Sequence, residues 1–491
     1  MSVRQKVLLL AILVGFLVLS AFSSYTKQPT EDESWFGSAS YHLALHGSLA
    51  NTVLDATGTW RQGMARHFYW QPPLSFVLNA FAIRAFGFSL MTVRMVSAAA
   101  GAVALLGIYF MTAKLTRQPK TGLIATVLAA TDYFFVLDAS DGRMDTLCLA
   151  FGLLGLAAFC LLRERSLPLA ILVSHSAVAA SGLTHPNGII WLTNLVVLTL
   201  FLERDHLRAS WIFPAMVPYL LAALAWGAFI AQEPADFRTQ FLGNIRESGA
   251  SNYNNQHPLE TPLNAIGMEV KERYLSAYGL GGNVGPLNRV KGIVLLIYAF
   301  LIGSAGFLAR RIKAAPLFLS LTIAAFFAMT FLTGNKMFYY LTHITPLFAI
   351  VAALVLNHWS DRGTTARMCS YTIAAILVTV QLAGIGYRLH QDSYHNQYKP
   401  MLDAVLRSSG PQDAVIGTSA LIWDLAPARA LTDDYKLGYL NKITPRIIVI
   451  SEFYKAMQCQ ADPAVRHHIE QVLERYERVP LNVQYEVYRA R

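Results

Sequence analysis

Eleven apolar stretches of nearly membrane-spanning length constrain this chain more than any other feature. A hydrocarbon core about 30 Å thick takes roughly 20 apolar residues of α-helix. Backbone groups inside lipid must satisfy one another, so each stretch is expected to be helical. The sequence therefore predicts an α-helical polytopic membrane protein with about eleven spans, at residues 5–22, 91–113, 121–137, 146–162, 167–183, 187–202, 211–231, 291–309, 315–333, 344–357 and 369–387.

The first stretch has a second interpretation. Arg4 and Lys6 precede the apolar run 7–22, as basic residues do in a cleaved secretory signal peptide. The run is long for the apolar region of a signal peptide, and further apolar stretches follow it. We therefore favour a first membrane span.

The charge distribution predicts the topology. The chain has 40 Lys and Arg against 30 Asp and Glu, a formal net charge of +10. With the N-terminus inside, the predicted cytoplasmic ends hold 14 basic and four acidic residues, as the positive-inside rule requires. This difference equals the whole net charge, so no nucleic-acid partner is needed to explain it. We expect a multi-pass protein of the bacterial plasma membrane, with a cytoplasmic N-terminus and an extracytoplasmic C-terminus.

Composition divides the chain into two predicted domains. Residues 1–387 hold the spans and two long outer loops, 23–90 and 232–290. Residues 388–491 have the composition of a soluble domain, with strand-like runs alternating with helical patterns. That alternation predicts a small C-terminal α/β domain on the same side as the long loops.

Acidic residues follow the first predicted span. Glu31, Asp32 and Glu33 lie so close to the bilayer boundary that they must be hydrated, paired or functional. A hydrated acidic loop is the alternative interpretation.

A second acidic group lies in the link into the fourth span. Asp138, Asp141 and Asp145 are spaced i, i+3 and i+7, which places them on one face if the link is helical. Arg143 lies among them. The alternative is a set of interfacial helix caps with an Arg143–Asp ion pair.

Three further motifs are predicted on the same side. Tyr69 precedes a Pro-Pro step that fixes the backbone before the next segment. Lys336 stands near Tyr339 and Tyr340, and together they offer a charge and two hydroxyls to a phosphate. An interfacial aromatic belt with a snorkelling lysine is the alternative. His185 is a turn histidine or a ligand.

Together these motifs resemble the GT-C glycosyltransferases, and in particular the family 39-like group of protein O-mannosyltransferases and lipid A aminoarabinose transferases. The resemblance covers roughly residues 1–387. It rests on short motifs in a shared order and topology, namely Asp32-Glu33, Pro72-Pro73-Leu74, Arg143-Met144-Asp145 and Lys336 with Tyr339-Tyr340.

The resemblance implies an enzyme that takes a sugar from a polyprenyl-phosphate donor at the non-cytoplasmic face. Asp32 and Glu33 match the family's Asp-Glu pair, and Asp145 matches its second acidic position. The residues that would hold the lipid phosphate are Lys336 and Tyr339 or Tyr340, to which we add Arg143 and Tyr69.

The chemistry of such a transfer suggests individual roles. A phosphate leaving group needs cations, whereas an acceptor hydroxyl needs a base within about 2.6–3.2 Å. We expect Asp32 to be that base, with inversion at the anomeric carbon, and Glu33 and Asp145 to orient the acceptor. The acceptor is a glycan, a lipid or a protein.

Two departures from the family pattern bear on metal binding. Trp70-Gln71 stands where the aminoarabinose transferases have an acid–lysine pair, and Asp141 and Asp145 are spaced more widely than the Asp-x-Asp of oligosaccharyltransferases. Whether the site binds a divalent metal therefore stays open. Asp138, Asp141 and His185 are the candidate ligands of a metal or of the acceptor.

A multi-span transporter or flippase of a lipid-linked glycan is the main alternative. Transporters place ionisable residues near the bilayer midplane, often on paired broken helices. Here the acidic residues gather at one boundary, which favours an enzyme. A protein that binds polyprenyl lipids without catalysis is a further alternative.

Overall fold

The structure is a computed structural model. It describes residues 2–55, 57–59, 61–244, 246, 257–281, 286–334, 336–425 and 430–491. Parts of the predicted outer loop 232–290 therefore lie outside the described residues.

The first half of the chain is helical. Its helices are α1 (Val3–Thr26), α2 (Glu31–His46), α3 (Leu74–Phe86), α4 (Leu90–Thr116), α5 (Pro119–Ala130), α6 (Tyr133–Ala139), α7 (Asp145–Leu162), α8 (Leu167–Thr184), α9 (Gly188–Glu203) and α10 (Ile212–Ile230). Helices continue at Pro234–Phe237, Pro262–Met268, Pro286–Phe307, Ala315–Leu332, Thr345–Ser360, Thr364–Gln391 and Lys399–Ser408.

All eleven predicted spans are helical, but not all have full spanning length. Among the described residues, eight helices are long and apolar enough to cross a membrane, and a ninth crossing is the bent pair α5 and α6. The other two, α9 and Thr345–Ser360, have 16 residues each. At 1.5 Å per residue they are about 24 Å long, which is less than the hydrocarbon thickness.

The helix bundle has a centre and an edge. In α7, 72% of the residues are buried inside the protein, whereas in the most apolar 18-residue stretch around α10 only 6% are buried. The central α7 helix therefore packs mostly against protein. The α10 helix presents its apolar side chains outward, as a lipid-facing helix does.

A sharp bend separates α5 from α6. The two helices differ in direction by 68°. Asp132 lies at the break and caps α6, because its carboxylate accepts from the backbone N–H groups of Phe134 (3.1 Å) and Phe135 (3.0 Å). Its other oxygen accepts from the Gln381 amide at 2.6 Å.

The link between α6 and α7 is not one helix. The α6 helix ends at Ala139 and α7 begins at Asp145, so the predicted common face for Asp138, Asp141 and Asp145 does not form. A loop over residues 140–144 connects the two helices.

The first outer loop is folded. Thr30 and Glu33 form a reciprocal capping box at the start of α2, and Gly47 ends that helix in the left-handed region (φ +74°). The α3 helix starts directly after Pro72-Pro73. The aromatic side chains between the two helices are buried against α2, which makes this loop a packed layer above the spans.

The C-terminal region forms a small five-stranded sheet. Its strands are β1 (Val415–Gly417), β2 (Leu431–Thr432), β3 (Ile447–Ile450), β4 (Tyr476–Val479) and β5 (Glu486–Ala490). The spatial order is β2-β1-β3-β5-β4, with β2, β1 and β3 parallel and the other pairs antiparallel. The strand β3 is buried along its whole length. Ile447 and Val449 pack in one cluster with the helix Lys399–Ser408, and Ile448 and Ile450 pack in another with the helices Glu452–Cys459 and Pro463–Leu473.

This sheet confirms the predicted α/β character of the tail. The strands β2 and β4 were not predicted, because a two-residue strand and a half-exposed strand carry little periodic signal. The last span runs to Gln391, and the division of the chain at residue 387 stays a prediction.

The C-terminal domain packs directly against α2. The Trp423 ring lies so close to Gly37 that a β-carbon at this position would clash with it. The Trp423 indole N–H donates to Ser34 at 2.9 Å. A short parallel bridge also pairs Leu54 of the outer loop with Asp433.

Candidate functional site

Asp32, Arg143 and Asp145 form a chain of ion pairs. Asp32 lies in the first turn of α2, whose start is fixed by the Thr30 cap. The Arg143 guanidinium donates to Asp32 and, through Nε, to Asp145 at 3.0 Å. The Asp32 side chain is 36% exposed, whereas that of Asp145 is fully buried. Asp32 is thus the carboxylate that a substrate can reach.

Glu33 has a different environment from its neighbour. Its fully buried carboxylate accepts from the Arg94 guanidinium at 2.7 and 2.6 Å and from the Gly142 backbone N–H at 2.9 Å. Burial, the largest influence, raises the pKa of Glu33. The charge and hydrogen bonds of Arg94, the charge of Lys27 and the Gly142 N–H together outweigh burial and lower that pKa to about 2. Glu33 therefore connects α2 to α4 and to the link before α7.

Arg94 was not predicted as a site residue. Besides Glu33, it donates to the backbone carbonyls of Ser24 (2.5 Å), Lys27 (2.7 Å) and Gln28 (3.1 Å). These bonds hold the end of α1 beside the start of α2. An arginine inside an apolar stretch was the signal that could have identified it, because such residues are costly unless paired.

The predicted metal or acceptor ligands do not meet. Asp141 pairs with Lys27, and both oxygens of Asp138 are buried without a hydrogen-bond partner in the described structure. His185 accepts from the Asn187 backbone N–H through Nδ1 at 3.0 Å. Within the described ranges, no group of three or more His, Cys, Asp or Glu side chains is arranged to bind a metal ion.

A cavity of about 590 Å³ opens above Asp32 and Arg143. Parts of α2, the outer loop, the link before α7, the segment after residue 336 and the C-terminal domain all contribute to its wall. The lining residues are Thr30, Glu31, Asp32, Trp35, Phe36, Arg61, Trp70, Gln71, Arg143, Asn244, Met337, Tyr339, Tyr340 and Phe453.

One wall of this first cavity is aromatic. The Arg61 guanidinium lies 4.4 Å from the ring centroid of Trp35 and 4.8 Å from that of Trp70. Phe453, from the C-terminal domain, contacts Trp35 edge-on with centroids 5.9 Å apart. The Trp35 indole N–H donates to Asp433 at 2.6 Å, so the C-terminal domain fixes the orientation of this wall.

Tyr339 and Tyr340 line the same cavity opposite that wall. The Arg143 guanidinium lies 4.5 Å from the Tyr339 ring centroid, and Arg273 lies 5.7 Å from that of Tyr340. The structure thus places the predicted pair of tyrosines beside the predicted arginine.

Tyr69 is not part of this group. Its hydroxyl donates to the Phe229 backbone carbonyl at 2.9 Å, and its backbone N–H donates to the Gln240 side chain at 2.7 Å. The structure therefore directs the Tyr69 side chain toward α10 and away from Arg143.

Lys336 is held by several acceptors. Its ammonium group pairs with Glu269 at 3.1 Å, and its exposed side-chain fraction is only 2%. It also donates to three backbone carbonyls at the end of the helix Ala315–Leu332, namely those of Met329 (3.2 Å), Thr330 (2.7 Å) and Thr333 (3.0 Å). Lys336 thus caps this helix at its negative end.

A second cavity, of about 410 Å³, lies on the other side of Tyr339. Thr30, Met337 and Tyr339 contribute to both cavities. The wall of the second cavity carries four cations and one carboxylate, namely Lys27, Lys291, Lys336, Arg388 and Glu272. Lys27 and Lys336 are paired with Asp141 and Glu269, so the positive charge of this wall rests mainly on Lys291 and Arg388.

Two histidines lie near the buried Asp145. Nε2 of His343 is 4.0 Å from an oxygen of Asp145, and Nδ1 of His343 accepts from the Trp191 indole N–H at 3.3 Å. Burial lowers the pKa of His343 to about 3 and that of His185 to about 4. Both imidazoles are therefore neutral near pH 7.

Glu31 joins the cavity to the C-terminal domain. Its carboxylate accepts from the hydroxyls of Thr418 (2.7 Å), Ser419 (2.9 Å) and Ser451 (3.2 Å). Burial and the nearby charge of Asp433 raise the pKa of Glu31 to about 7. The sequence did not distinguish this role of Glu31 from that of Asp32.

Part of the chain matches a known protein family. Residues 70–229 match the family model described as dolichyl-phosphate-mannose-protein mannosyltransferase. No curated protein sequence has a significant match to the chain.

Solved structures share the fold over nearly the whole chain. ArnT from Cupriavidus metallidurans, bound to undecaprenyl phosphate, matches with a TM-score of 0.62 and 14% identity over 99% of this chain and 98% of that one. The Archaeoglobus fulgidus oligosaccharyltransferase in the apo form matches with a TM-score of 0.56 and 13% identity over 97% of this chain and 74% of that one. AglB from the same organism, in complex with an inhibitory peptide and a dolichol-phosphate, has a TM-score of 0.55, 13% identity and coverages of 97% and 73%.

Proposed function

We propose that this chain, which has the fold of the GT-C glycosyltransferases, transfers a sugar from a polyprenyl-phosphate donor to an acceptor hydroxyl. The observation that carries the proposal is the accessible Asp32 carboxylate, which Arg143 orients in a cavity that reaches the C-terminal domain. A base and a fixed cation side by side are what attack on a phosphate-linked sugar requires.

Asp32 is proposed as the general base. It accepts the proton of the acceptor hydroxyl while that oxygen attacks the anomeric carbon on the face opposite the phosphate. The carbon–phosphate oxygen bond breaks, the phosphate leaves with the electron pair, and the configuration inverts. Asp145 does not touch the substrate in this proposal, because it is buried and holds Arg143 from behind.

Arg143, Tyr339 and Tyr340 are proposed to hold the donor phosphate. Arg143 offers a charge that carboxylates fix on two sides, and the two tyrosines offer hydroxyls at the same wall. The second cavity, with its excess of cations, would then attract the anionic lipid head group. Lys336 contributes to the wall of that cavity and caps its helix.

The acceptor is proposed to enter the first cavity beside the aromatic wall. Trp35 and Trp70 present flat apolar faces there, and Arg61 adds hydrogen-bond donors. Aromatic faces with nearby polar groups suit a hydroxylated acceptor, whether glycan, lipid or protein. Phe453 and Asp433 give the C-terminal domain, residues 388–491, a part in this site.

The proposed location is the bacterial plasma membrane, with the N-terminus in the cytoplasm. The shared boundary of Asp32, Arg143 and Tyr339 then faces the non-cytoplasmic side. The bias of basic residues toward the opposite ends of the spans supports this orientation.

The experiment uses purified protein in liposomes with labelled undecaprenyl-phosphate sugars and a mixed acceptor fraction of envelope lipids and glycans. Asp32→Asn keeps the size of the side chain but removes the base, so we expect transfer to fall at least about 100-fold. Glu477→Gln is the matched control, because it removes an exposed carboxylate on β4. This variant should transfer the sugar as the wild type does.

Equal transfer by the wild type and Asp32→Asn would refute the proposed base. Passage of the labelled lipid across the bilayer without transfer of its sugar would instead support the transporter alternative.

A further inference from the structure

We infer that the end of the helix bundle opposite Asp32 holds a binding site for the head group of an anionic phospholipid. A cavity of about 700 Å³ lies there between α4, α5, the helix Thr345–Ser360 and the turn before residue 315. It shares no lining residue with the two cavities beside Arg143.

The distance from the candidate active site follows from α4. Arg94, near the start of this helix, pairs with Glu33 at the active-site end. Thr116 ends the same helix and lines the distant cavity. Thr116 follows Arg94 by 22 positions, which is about 33 Å along the helix at 1.5 Å per residue. The proposed lipid site is therefore separate from the proposed transfer reaction and does not depend on it.

The charge of this distant cavity is strongly positive. Arg117, Arg311, Lys313 and Arg362 line it, against a single carboxylate, Asp361. None of these four cations forms a salt bridge within the described part of the chain. Asp361 itself is 63% exposed and lies 3.4 Å from Lys120.

Some other cations at the same end of the bundle are already paired. Lys114 pairs with Glu164 at 2.6 Å, and Arg163 pairs with Glu203. A topology signal requires basic residues at this end, but it does not require four of them to converge on one cavity. Their convergence leaves a concentrated positive charge that an anion would neutralise.

Asn357, which lines the same cavity, has an acceptor that needs a hydrogen-bond donor. Asn357 is 96% buried, and its amide nitrogen donates to Gln118 (2.5 Å) and Thr121 (3.0 Å). Its carbonyl oxygen is buried and has no hydrogen-bond partner. A buried acceptor without a donor is destabilising, so a ligand with a hydroxyl or ammonium group would complete the site.

The apolar part of the lining identifies the ligand as a lipid. Leu115, Ile312 and Leu354 share the cavity with the cations. A phosphate alone gains nothing from these side chains, whereas the glycerol and first methylene groups of a lipid do. A phosphate diester with a head-group hydroxyl, such as phosphatidylglycerol, satisfies the charge, the free carbonyl oxygen and the apolar lining together.

The test measures lipid retention by the purified full-length protein. Native mass spectrometry after titration with phosphatidylglycerol or phosphatidylcholine gives the bound lipid for each variant. We expect at least 10-fold tighter retention of phosphatidylglycerol by the wild type, and loss of this preference in Arg311→Gln/Lys313→Gln. Arg165→Gln/Arg204→Gln removes the same charge at the same end but outside the cavity, and should keep the preference.

A second variant separates charge from space. Ala314→Trp fills the cavity without changing its charge and should also abolish retention of phosphatidylglycerol. Equal loss of retention in the cavity and control charge variants, or unchanged retention in Ala314→Trp, would overturn the site. Stabilisation by inorganic phosphate to the same extent as by phosphatidylglycerol would overturn its assignment to a lipid.

Discussion

At the residue scale, Glu31 and Asp32 are neighbours with opposite surroundings. Asp32 faces the cavity and the Arg143 guanidinium, while Glu31 is surrounded by three hydroxyls of the C-terminal domain. The nearby Asp433 adds a second negative charge to the surroundings of Glu31. A proton on Glu31 therefore relieves repulsion across the contact between α2 and that domain.

Glu31 is expected to make stability depend on pH. The unfolded chain releases this proton near pH 4.5, whereas the folded protein keeps it up to about pH 7. The contribution of Glu31 to the free energy of unfolding is therefore complete below pH 4.5 and decreases as the pH rises to about 7. The total decrease is at most about 3 kcal/mol. In Glu31→Gln, the melting temperature should fall less than in the wild type across this window.

Thermal unfolding at pH 4.5 to 8, in detergent of constant composition, measures this difference. Glu452→Gln removes an exposed carboxylate of the same domain and serves as the control. Parallel pH profiles for the wild type and Glu31→Gln would show that this contact is insensitive to the proton.

At the element scale, the start of α2 depends on one buried ion pair. Glu33→Gln leaves the Arg94 guanidinium buried without its negative partner, which costs about 3–5 kcal/mol. We expect a large decrease in melting temperature, since Arg94 also holds the end of α1. Glu164→Gln breaks an exposed pair and should leave the melting temperature nearly unchanged.

The same variant tests the predicted catalytic role of Glu33. A stable Glu33→Gln protein with strongly reduced transfer would place this residue in the chemistry, as the family resemblance implies. A loss of stability that accounts for the loss of transfer assigns it to positioning of α2.

The contact between α2 and the C-terminal domain requires a glycine at position 37. A β-carbon at Gly37 would clash with the Trp423 ring, so Gly37→Ala should push the two elements apart. We expect lower melting temperature and faster proteolysis after residue 391. Gly386→Ala adds the same methyl group where nothing lies within 4 Å, and should cause neither effect.

At the scale of the whole molecule, two native thiols report on topology. Cys369 and Cys459 are both exposed, one near the start of the last span and the other in the C-terminal domain. A membrane-impermeant maleimide on intact cells should label Cys459, after permeabilisation of any outer membrane, and leave Cys369 unlabelled until lysis. Cys459→Ser provides the control, and labelling of Cys369 alone would invert the proposed orientation.

The sequence was sufficient for features that depend on local pattern. Apolar length predicted the position of each described helix that is long and apolar enough to cross a membrane. The predicted shared boundary placed Asp32, Arg143 and Tyr339 on one side, and the structure brings them to one cavity. The composition of the tail predicted a sheet whose central strand is Ile447–Ile450.

Contacts between distant parts of the chain could not be predicted in this way. Lys336 was expected to face a phosphate, but its partner Glu269 lies in another loop. Tyr69 was expected beside it, but α10 and Gln240 direct its side chain elsewhere. Asp141 has its cation in Lys27, which follows α1 and shows no motif of its own.

The hydrogen bond between Trp35 and Asp433 also has a consequence for biosynthesis. The two residues are 398 positions apart, so at about 5–20 residues per second a ribosome needs about 20–80 s to make the chain between them. Until then the aromatic wall lacks the partner that orients it. The cavity is therefore completed only after residue 433 has been made, and a chain truncated before that residue has no finished site.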